Sequence, residues 1–158
     1  MTNLVELDLP DPESTVALGR RLGGILRAGD LVVLSGQLGA GKTTLTRGIG
    51  EGLGVRGPVT SPTFVIARRH PSLLGGPALL HVDAYRVSSA DEVDDLDLID
   101  EEAVTVVEWG AGHIEHLAES RIHLSLDEVG QGRRARVEAV GPRWQGVDLA
   151  VELSRDGA

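Results

Sequence analysis

The aliphatic run Leu31-Val32-Val33-Leu34 leads into Gly36-Gln37-Leu38-Gly39-Ala40-Gly41-Lys42-Thr43, and Leu45, Ile49 and Leu53 follow at helical spacing. Strand, glycine loop and helix in this order constrain the fold more than any other stretch. The spacing G-x-x-x-x-G-K-[ST] cradles phosphate only where a buried strand stops and a helix starts. Lys42 is also the only lysine in the chain, so every other member of the 15 Lys+Arg is an arginine. A compact ammonium on a thin stem fits a tight glycine loop, where a planar guanidinium fits badly. A lone lysine would find both glycines and the hydroxyl in register by chance roughly once in 500. Backbone N–H groups from Gly39 and Ala40 to Thr44 would converge at the helix start. Lys42 would neutralise β- and γ-phosphate charge, and the Thr43 hydroxyl would ligate Mg²⁺.

A chain of 158 residues is one domain in size, so 1–158 reads as a single domain. No apolar run approaches the roughly 20 residues of a membrane span, and no basic n-region precedes one; a cytoplasmic protein is expected. Without cysteine, thiolate zinc sites and disulfides are excluded. His113 and His116 stand three apart with no third ligand nearby, so no zinc is expected. The net charge of −9 argues against this chain gripping a nucleic-acid backbone unaided, and a partner would have to hold one. Eight acids crowd into Asp91, Glu92, Asp94, Asp95, Asp97, Asp100, Glu101 and Glu102, as a solvated helix face or a docking surface for a basic partner.

Alternation over residues 4–9 predicts a strand, and Asp11 followed by Pro12 predicts an N-cap and first helical position. Leu18, Leu22, Ile25 and Leu26 form one apolar stripe of a helix ending at Gly29; Gly54 closes the helix after the loop. Residues 64–68 and 78–82 read as strands joined by the Pro/Gly loop 71–77, a possible hairpin. Further strands fall at 104–107, 122–126 and 135–140, the last two flanking a turn at 130–134, and Ser88 or Ser89 can cap a short acidic helix. After Pro142, Leu149, Val151 and Leu153 suit a final helix or strand facing the core. The pattern βαβαββαβαββ describes a P-loop NTPase-like three-layer α/β domain, with central parallel strands and flanking antiparallel strands. Ligands should gather at the carboxyl ends of the parallel strands.

Asp83 and Glu108 each end an aliphatic strand. Phosphoryl transfer needs one acid to hold the metal and another to orient water, and the denser strand before Glu108 puts Glu108 at the metal and Asp83 near the γ-phosphate. The alternative is that both are solvated or cap the next helix. Ser61-Pro62-Thr63 is either an ordinary turn or a switch loop presenting hydroxyls to a γ-phosphate. Thr15 supports the first helix cap or touches the nucleotide. Among Arg133, Arg134 and Arg136, either all are solvated or one reaches a phosphate or the base. Trp109 packs in the core or lies at the rim of the site, and His81 reads as a half-buried strand residue.

Taken in order, the glycine loop with Thr44, Ser61-Pro62-Thr63, His81-Val82-Asp83-Ala84-Tyr85-Arg86, Val107-Glu108-Trp109 and Gly132-Arg133-Arg134-Ala135-Arg136 resemble the TsaE (YjeE) family of P-loop ATPases over about residues 11–140. The loop alone is not specific; the order and spacing of all five are. Gly110 departs from the proline expected in many members. The resemblance implies an enzyme that binds and hydrolyses ATP with Mg²⁺ and works with the partners TsaD and TsaB, which install threonylcarbamoyl on the adenosine beside the anticodon of tRNAs. The tRNA would be met only through that complex. It also implies Lys42 and the loop from Gly36 and Leu38 onward on phosphate, Thr43 and Glu108 on Mg²⁺, Asp83 in hydrolysis, and Thr15 and Arg133 as nucleotide contacts. Rival readings are a small-molecule or nucleotide kinase and a non-catalytic ATP-dependent scaffold. A GTPase is disfavoured because the guanine-reading motif needs a second lysine, and an ABC-type ATPase because no Leu-Ser-Gly-Gly stretch occurs.

Overall fold

A computed structural model of the chain describes residues 3–36, 41–55, 67–83, 101–108 and 119–154. The elements are β1 (Asn3–Leu9), α1 (Pro12–Ile25), β2 (Leu31–Gly36), α2 (Lys42–Leu53), β3 (Ala67–His70), β4 (Ala78–Asp83), β5 (Ala103–Glu108), β6 (Arg121–Val129), β7 (Gly132–Val140), a 3₁₀ turn (Pro142–Trp144) and α3 (Leu149–Glu152). The strands make one seven-stranded sheet in the order β1-β7-β6-β2-β5-β4-β3. β2 is parallel to β6 and β5, and β5 to β4, while β1, β7 and β3 add antiparallel edges. The expected parallel centre with antiparallel flanks is the observed one, and β3 and β4 do form a hairpin.

Alternation along the strands decides which side chains meet the helices. Val32 and Leu34, Leu79, Val104 and Val106, Ile122, Leu124 and Leu126, and Ala135, Val137 and Ala139 join Leu18, Leu22, Leu45 and Ile49 in one buried cluster. On the opposite face Leu31, Val33, Ala103, Val107 and Val82 are also fully buried, so the central strands are covered on both sides, as a parallel sheet requires.

α1 and α2 touch backbone to backbone. A Cβ added at Gly19 would lie 2.4 Å from the Leu45 carbonyl oxygen and 2.8 Å from Gly48 Cα, and one at Gly48 would lie 2.3 Å from the Val16 oxygen. One turn on, a Cβ at Gly23 would meet the Ile49 oxygen at 2.6 Å, and one at Gly52 the Arg20 oxygen at 2.4 Å. Gly19 and Gly23 therefore face Gly48 and Gly52 along two helices running in the same direction. Each helical glycine costs about 1 kcal/mol relative to alanine, and the close approach accounts for all four. Arg20 Nε and Glu51 Oε2 close the exposed edge of this contact at 2.6 Å.

Four expectations are corrected. α1 ends at Ile25 rather than Gly29: Leu26 donates the last bond, to the Leu22 carbonyl, then turns extended and stays buried. β3 runs to His70 rather than stopping at Arg68, while 64–66 lie outside the described residues. Residues 132–134 are strand, not turn, because Gly130 and Gln131 alone close the β6–β7 hairpin and Val129 already pairs with Gly132. After Pro142 the chain forms a 3₁₀ turn and a helix, so Leu149 and Leu153 are buried four residues apart while Val151 is 49% exposed on the other side.

The C-terminal segment is anchored by Arg143. Its Nε and Nη2 reach the two oxygens of buried Asp30 at 3.1 and 3.2 Å, Nη2 also donates to the Ile25 carbonyl at 2.9 Å, and the guanidinium stacks 4.0 Å over the Trp144 ring. This ties the residues after β7 to the turn that feeds β2.

The glycine contact makes two opposite predictions within the same pair of helices. Gly48→Ala should cost about 1–3 kcal/mol, because backbone must move to admit the methyl group. Gly24→Ala, where a Cβ meets nothing within 4 Å on the exposed face of α1, should stabilise by up to about 1 kcal/mol. Denaturant midpoints of the two variants check this; equal shifts would remove the contact from the account.

Candidate functional site

β2 stops at Gly36 and α2 begins at Lys42, with 37–40 outside the described residues. Gly41 makes the entry possible: it is the N-cap residue of α2 with φ 102°, a left-handed conformation that only glycine adopts readily. Among the described residues no side chain caps α2, and this helix start lies at the carboxyl end of β2, where the helix dipole favours an anion. Lys42 is 5% exposed, and its Nζ donates to the Gly36 carbonyl at 2.7 Å, spanning the two ends of the loop. The Thr46 hydroxyl donates back to the Lys42 carbonyl at 2.9 Å, locking the first turn. Thr43 and Thr44 are half-buried beside it. Leu38, Gly39, Ala40, Ser61, Thr63 and Trp109, all singled out by sequence, lie outside the described residues.

The parallel register aligns the acids with this loop. Leu34 of β2 pairs with Glu108 of β5, and Glu108 with Asp83 of β4. Asp83 and Glu108 are thus neighbours in register at the carboxyl end of the sheet, and Glu108, in phase with Val104 and Val106, lies on the α2 side. Glu108 is only 4% exposed and meets His81 Nε2 at 2.5 Å. His81, expected to be half-buried, is completely buried, because β4 is an interior strand paired on both sides. Sequence reading missed its link to Glu108. Only the pairing of β4 with β5 brings Glu108 to His81, and nothing in the spacing along either strand announces it.

A second wall of the site comes from the far half of the sheet. A cavity of about 170 Å³ is lined by Leu9, Asp11, Pro12, Thr15, Gly41, Thr44, Gln131, Gly132 and Arg133. Thr15 is 2% exposed, and its Cγ2 would lie 3.9 Å from a Cβ at Gly41, which puts the start of α1 directly against the glycine loop. Alternation on β7 separates the three arginines. Arg133 lies in phase with core residues Ala135 and Val137 and borders this cavity. Arg134 instead pairs with Asp8 at 3.1 Å on the exposed face, and Arg136 lines a separate polar hollow with Ser35 and His123. Arg133 is steadied by Glu128 at 3.6 Å and by its own bond to the Gly132 carbonyl.

Gln131 and Asp11 also border the cavity, Asp11 having been read from sequence only as a cap. Asp11 does cap α1: it accepts from the Ser14 hydroxyl at 2.5 Å and from the Ser14 N–H at 2.8 Å, and these two bonds hold its carboxyl below the usual range. Thr15 thus lies beside the loop rather than merely supporting the cap.

Glu108 and Thr43 are hard oxygen donors, the chemistry that Mg²⁺ takes. A buried carboxylate is ordinarily paired or bound to metal, and one oxygen of Glu108 has a partner in His81. The residues present therefore fit that ion. Among the described residues there is no cluster of three His, Cys, Asp or Glu that would hold a metal on side chains of those types alone, and His113 and His116 lie outside them. Of the acidic stretch, Glu101 and Glu102 form an exposed turn before β5; residues 91–100 lie outside the described residues. No helix among the described residues is long and apolar enough to cross a membrane.

The family model for threonylcarbamoyl adenosine biosynthesis protein TsaE matches residues 9–136. A tRNA threonylcarbamoyladenosine biosynthesis protein TsaE from Streptomyces coelicolor is 61% identical over 142 residues, covering 85% of this chain and 96% of the relative. The protein of the same name from Bacillus subtilis is 39% identical over 150 residues, covering 92% and 90%. The crystal structure of Bacillus subtilis YdiB superposes with a TM-score of 0.74 at 32% identity, over 98% of this chain and 97% of that one.

His70, on β3, carries a buried Nε2 with no hydrogen-bond partner among the described residues. Burial, then the neighbouring His81 and Arg68, depress its pKa below the ordinary 6.5. The unfolded chain therefore takes up this proton at a pH where the folded chain still resists it. Stability from this site is complete above the ordinary value and is lost as pH falls below it toward the depressed one. Between about pH 7.5 and 5.5, His70→Leu should lose less thermal stability than the parent chain. Parallel losses in both proteins would contradict the assignment.

Proposed function

The chain belongs to the TsaE family, and from that premise we propose that it is a Mg²⁺-dependent ATPase that supports threonylcarbamoyl modification of tRNA. The observation that carries the ATPase reading is Lys42, held against Gly36 at the start of α2, with Glu108 and Asp83 aligned on the adjoining strand ends. In this reading Lys42 and the N–H groups of the loop from Gly36 through Leu38, Gly39, Ala40 and Gly41 to Thr44 take the phosphates, while Thr15 and Arg133 wall the rest of the nucleotide. Thr43 and Glu108 hold Mg²⁺. The ion, when bound, neutralises charge on the β- and γ-phosphates. Asp83, beside Glu108 in register, orients the attacking water; Ser61 and Thr63 belong to a loop that senses the γ-phosphate, and Trp109 follows Glu108 at the rim. ATP is favoured over GTP because no second lysine exists for a guanine-reading motif.

The curated relatives are named for tRNA threonylcarbamoyladenosine biosynthesis. We assign this chain the ATP-driven step of that process in a cytoplasmic complex with TsaD and TsaB, the acyl transfer belonging to the partners. A net charge of −9 suits a subunit that meets tRNA only through others.

Lys42→Ala should lose ATP binding by about 100-fold or more, since it removes the ammonium that spans the loop. Asp83→Ala should bind ATP within about threefold of the parent, yet lose at least about 100-fold in turnover measured with the partners present. Unchanged hydrolysis by Asp83→Ala removes it from the mechanism. Phosphoryl transfer to a metabolite in place of water would make the protein a kinase, and binding without turnover in the complex would make it a scaffold.

A further inference from the structure

His81 sits where an aliphatic residue would cost less. It lies on an interior strand, 0% exposed, in line with Leu79, and its Nδ1 is buried with no hydrogen-bond partner among the described residues. A ring nitrogen stranded in a core is destabilising, and a leucine there would pack without that cost. What the histidine gains is on its other side, where Nε2 lies 2.5 Å from Glu108 Oε2. A carboxylate can only accept, so Nε2 is the nitrogen that bears the hydrogen and donates it.

The consequence falls on Glu108. A glutamate side chain has three rotatable bonds, and a strand end leaves it several directions to point in. With one oxygen engaged from below by a ring that the sheet holds immobile, the carboxylate has one orientation, and its second oxygen remains for a ligand at the carboxyl end of β5. We propose that His81 is the positioning residue of the magnesium-binding carboxylate: it fixes Glu108 so that the unshared oxygen meets the nucleotide-bound ion. This rests on the reading of Glu108 as a metal ligand. Partners that orient a metal's ligands commonly change metal affinity by about 10–100-fold when removed.

The test is binding of Mn²⁺ to the full chain in the presence of ADP, followed by electron paramagnetic resonance, with ADP affinity in EDTA measured in parallel. His81→Leu fills the core but removes the donor; it should weaken Mn²⁺ about tenfold while leaving metal-free ADP affinity within about twofold. His81→Gln, whose amide nitrogen reaches near the position of Nε2, should recover Mn²⁺ affinity to within about threefold of the parent. A glutamine variant as weak as the leucine one overturns the proposal, as does a leucine variant that binds Mn²⁺ normally. Glu108→Gln separates this from the reading beneath it. If that variant leaves Mn²⁺ affinity unchanged, Glu108 is no ligand and both fall; if it weakens Mn²⁺ while His81→Leu does not, only the role of His81 falls. Should His81→Leu fail to fold, His81→Asn replaces it, its amide drawn back by one carbon. Asparagine and glutamine variants of equal Mn²⁺ affinity would then overturn the proposal.

Discussion

The backbone contact between α1 and α2 is the constraint on which the site depends. Gly19 and Gly23 against Gly48 and Gly52 let two helices approach more closely than any side chain would permit. α2 carries the glycine loop at its start, and α1 carries Asp11 and Thr15 at its own. Because the helices run in the same direction in contact, those two starts are brought together, and the cavity between Thr15, Thr44 and Arg133 is the space that remains. An ordinary helix separation of 8–10 Å would move Thr15 away from Gly41 and open that wall. Four glycines, two on each helix, that weaken the helices taken alone are therefore what gives the proposed nucleotide site its shape.

The other half of the site follows from parallel pairing. β5 and β4 end level with one another and β2 continues past Leu34, the partner of Glu108, to Gly36, so all three strand ends lie at one edge of the sheet although more than 70 residues of chain separate Gly36 from Glu108. The buried side chains of β2, β5 and the described part of β4 are aliphatic except for His81, Thr105 and, at the carboxyl edge, Glu108. In such surroundings a charge is weakly screened and strongly directed. That suits the phosphate and metal contacts proposed for these groups, and it makes the hydrogen bond between His81 and Glu108 consequential. Charge outside this edge is managed differently: Arg134 with Asp8 and Arg20 with Glu51 are exposed pairs of the kind that contribute little.

Sequence made legible whatever is encoded locally. The run 31–34, the two glycines and Lys42 specify a strand, a turn and a helix within a span of about two dozen residues, and Asp11 with Pro12 marks the start of α1 for the same reason. The β3–β4 hairpin and the parallel centre also read correctly, because alternation and aliphatic density report burial. What escaped depends on partners distant in the chain. His81 looked half-buried, since nothing local says that β4 is interior and that Glu108 will lie over it. The glycines at 19, 23, 48 and 52 carry no local signal of their role, since a close approach shows only when both helices are in place. Arg133 could not be told from Arg134 while both were assigned to a turn; once the hairpin is closed by two residues, strand alternation sends them to opposite faces. Val151 went to the wrong side because 149, 151 and 153 fit a strand as readily as a helix end.

The central claim is that ATP hydrolysis at Lys42 and its neighbours drives repeated rounds of tRNA modification by the partner complex. The direct measurement counts modified adenosines per complex in a reaction containing TsaD, TsaB, tRNA and a threonylcarbamoyl donor, with this chain supplied with either ATP or a non-hydrolysable analogue. The account predicts many rounds with ATP and a single round with the analogue. Equal numbers of rounds under both conditions, or with this chain left out, would contradict it.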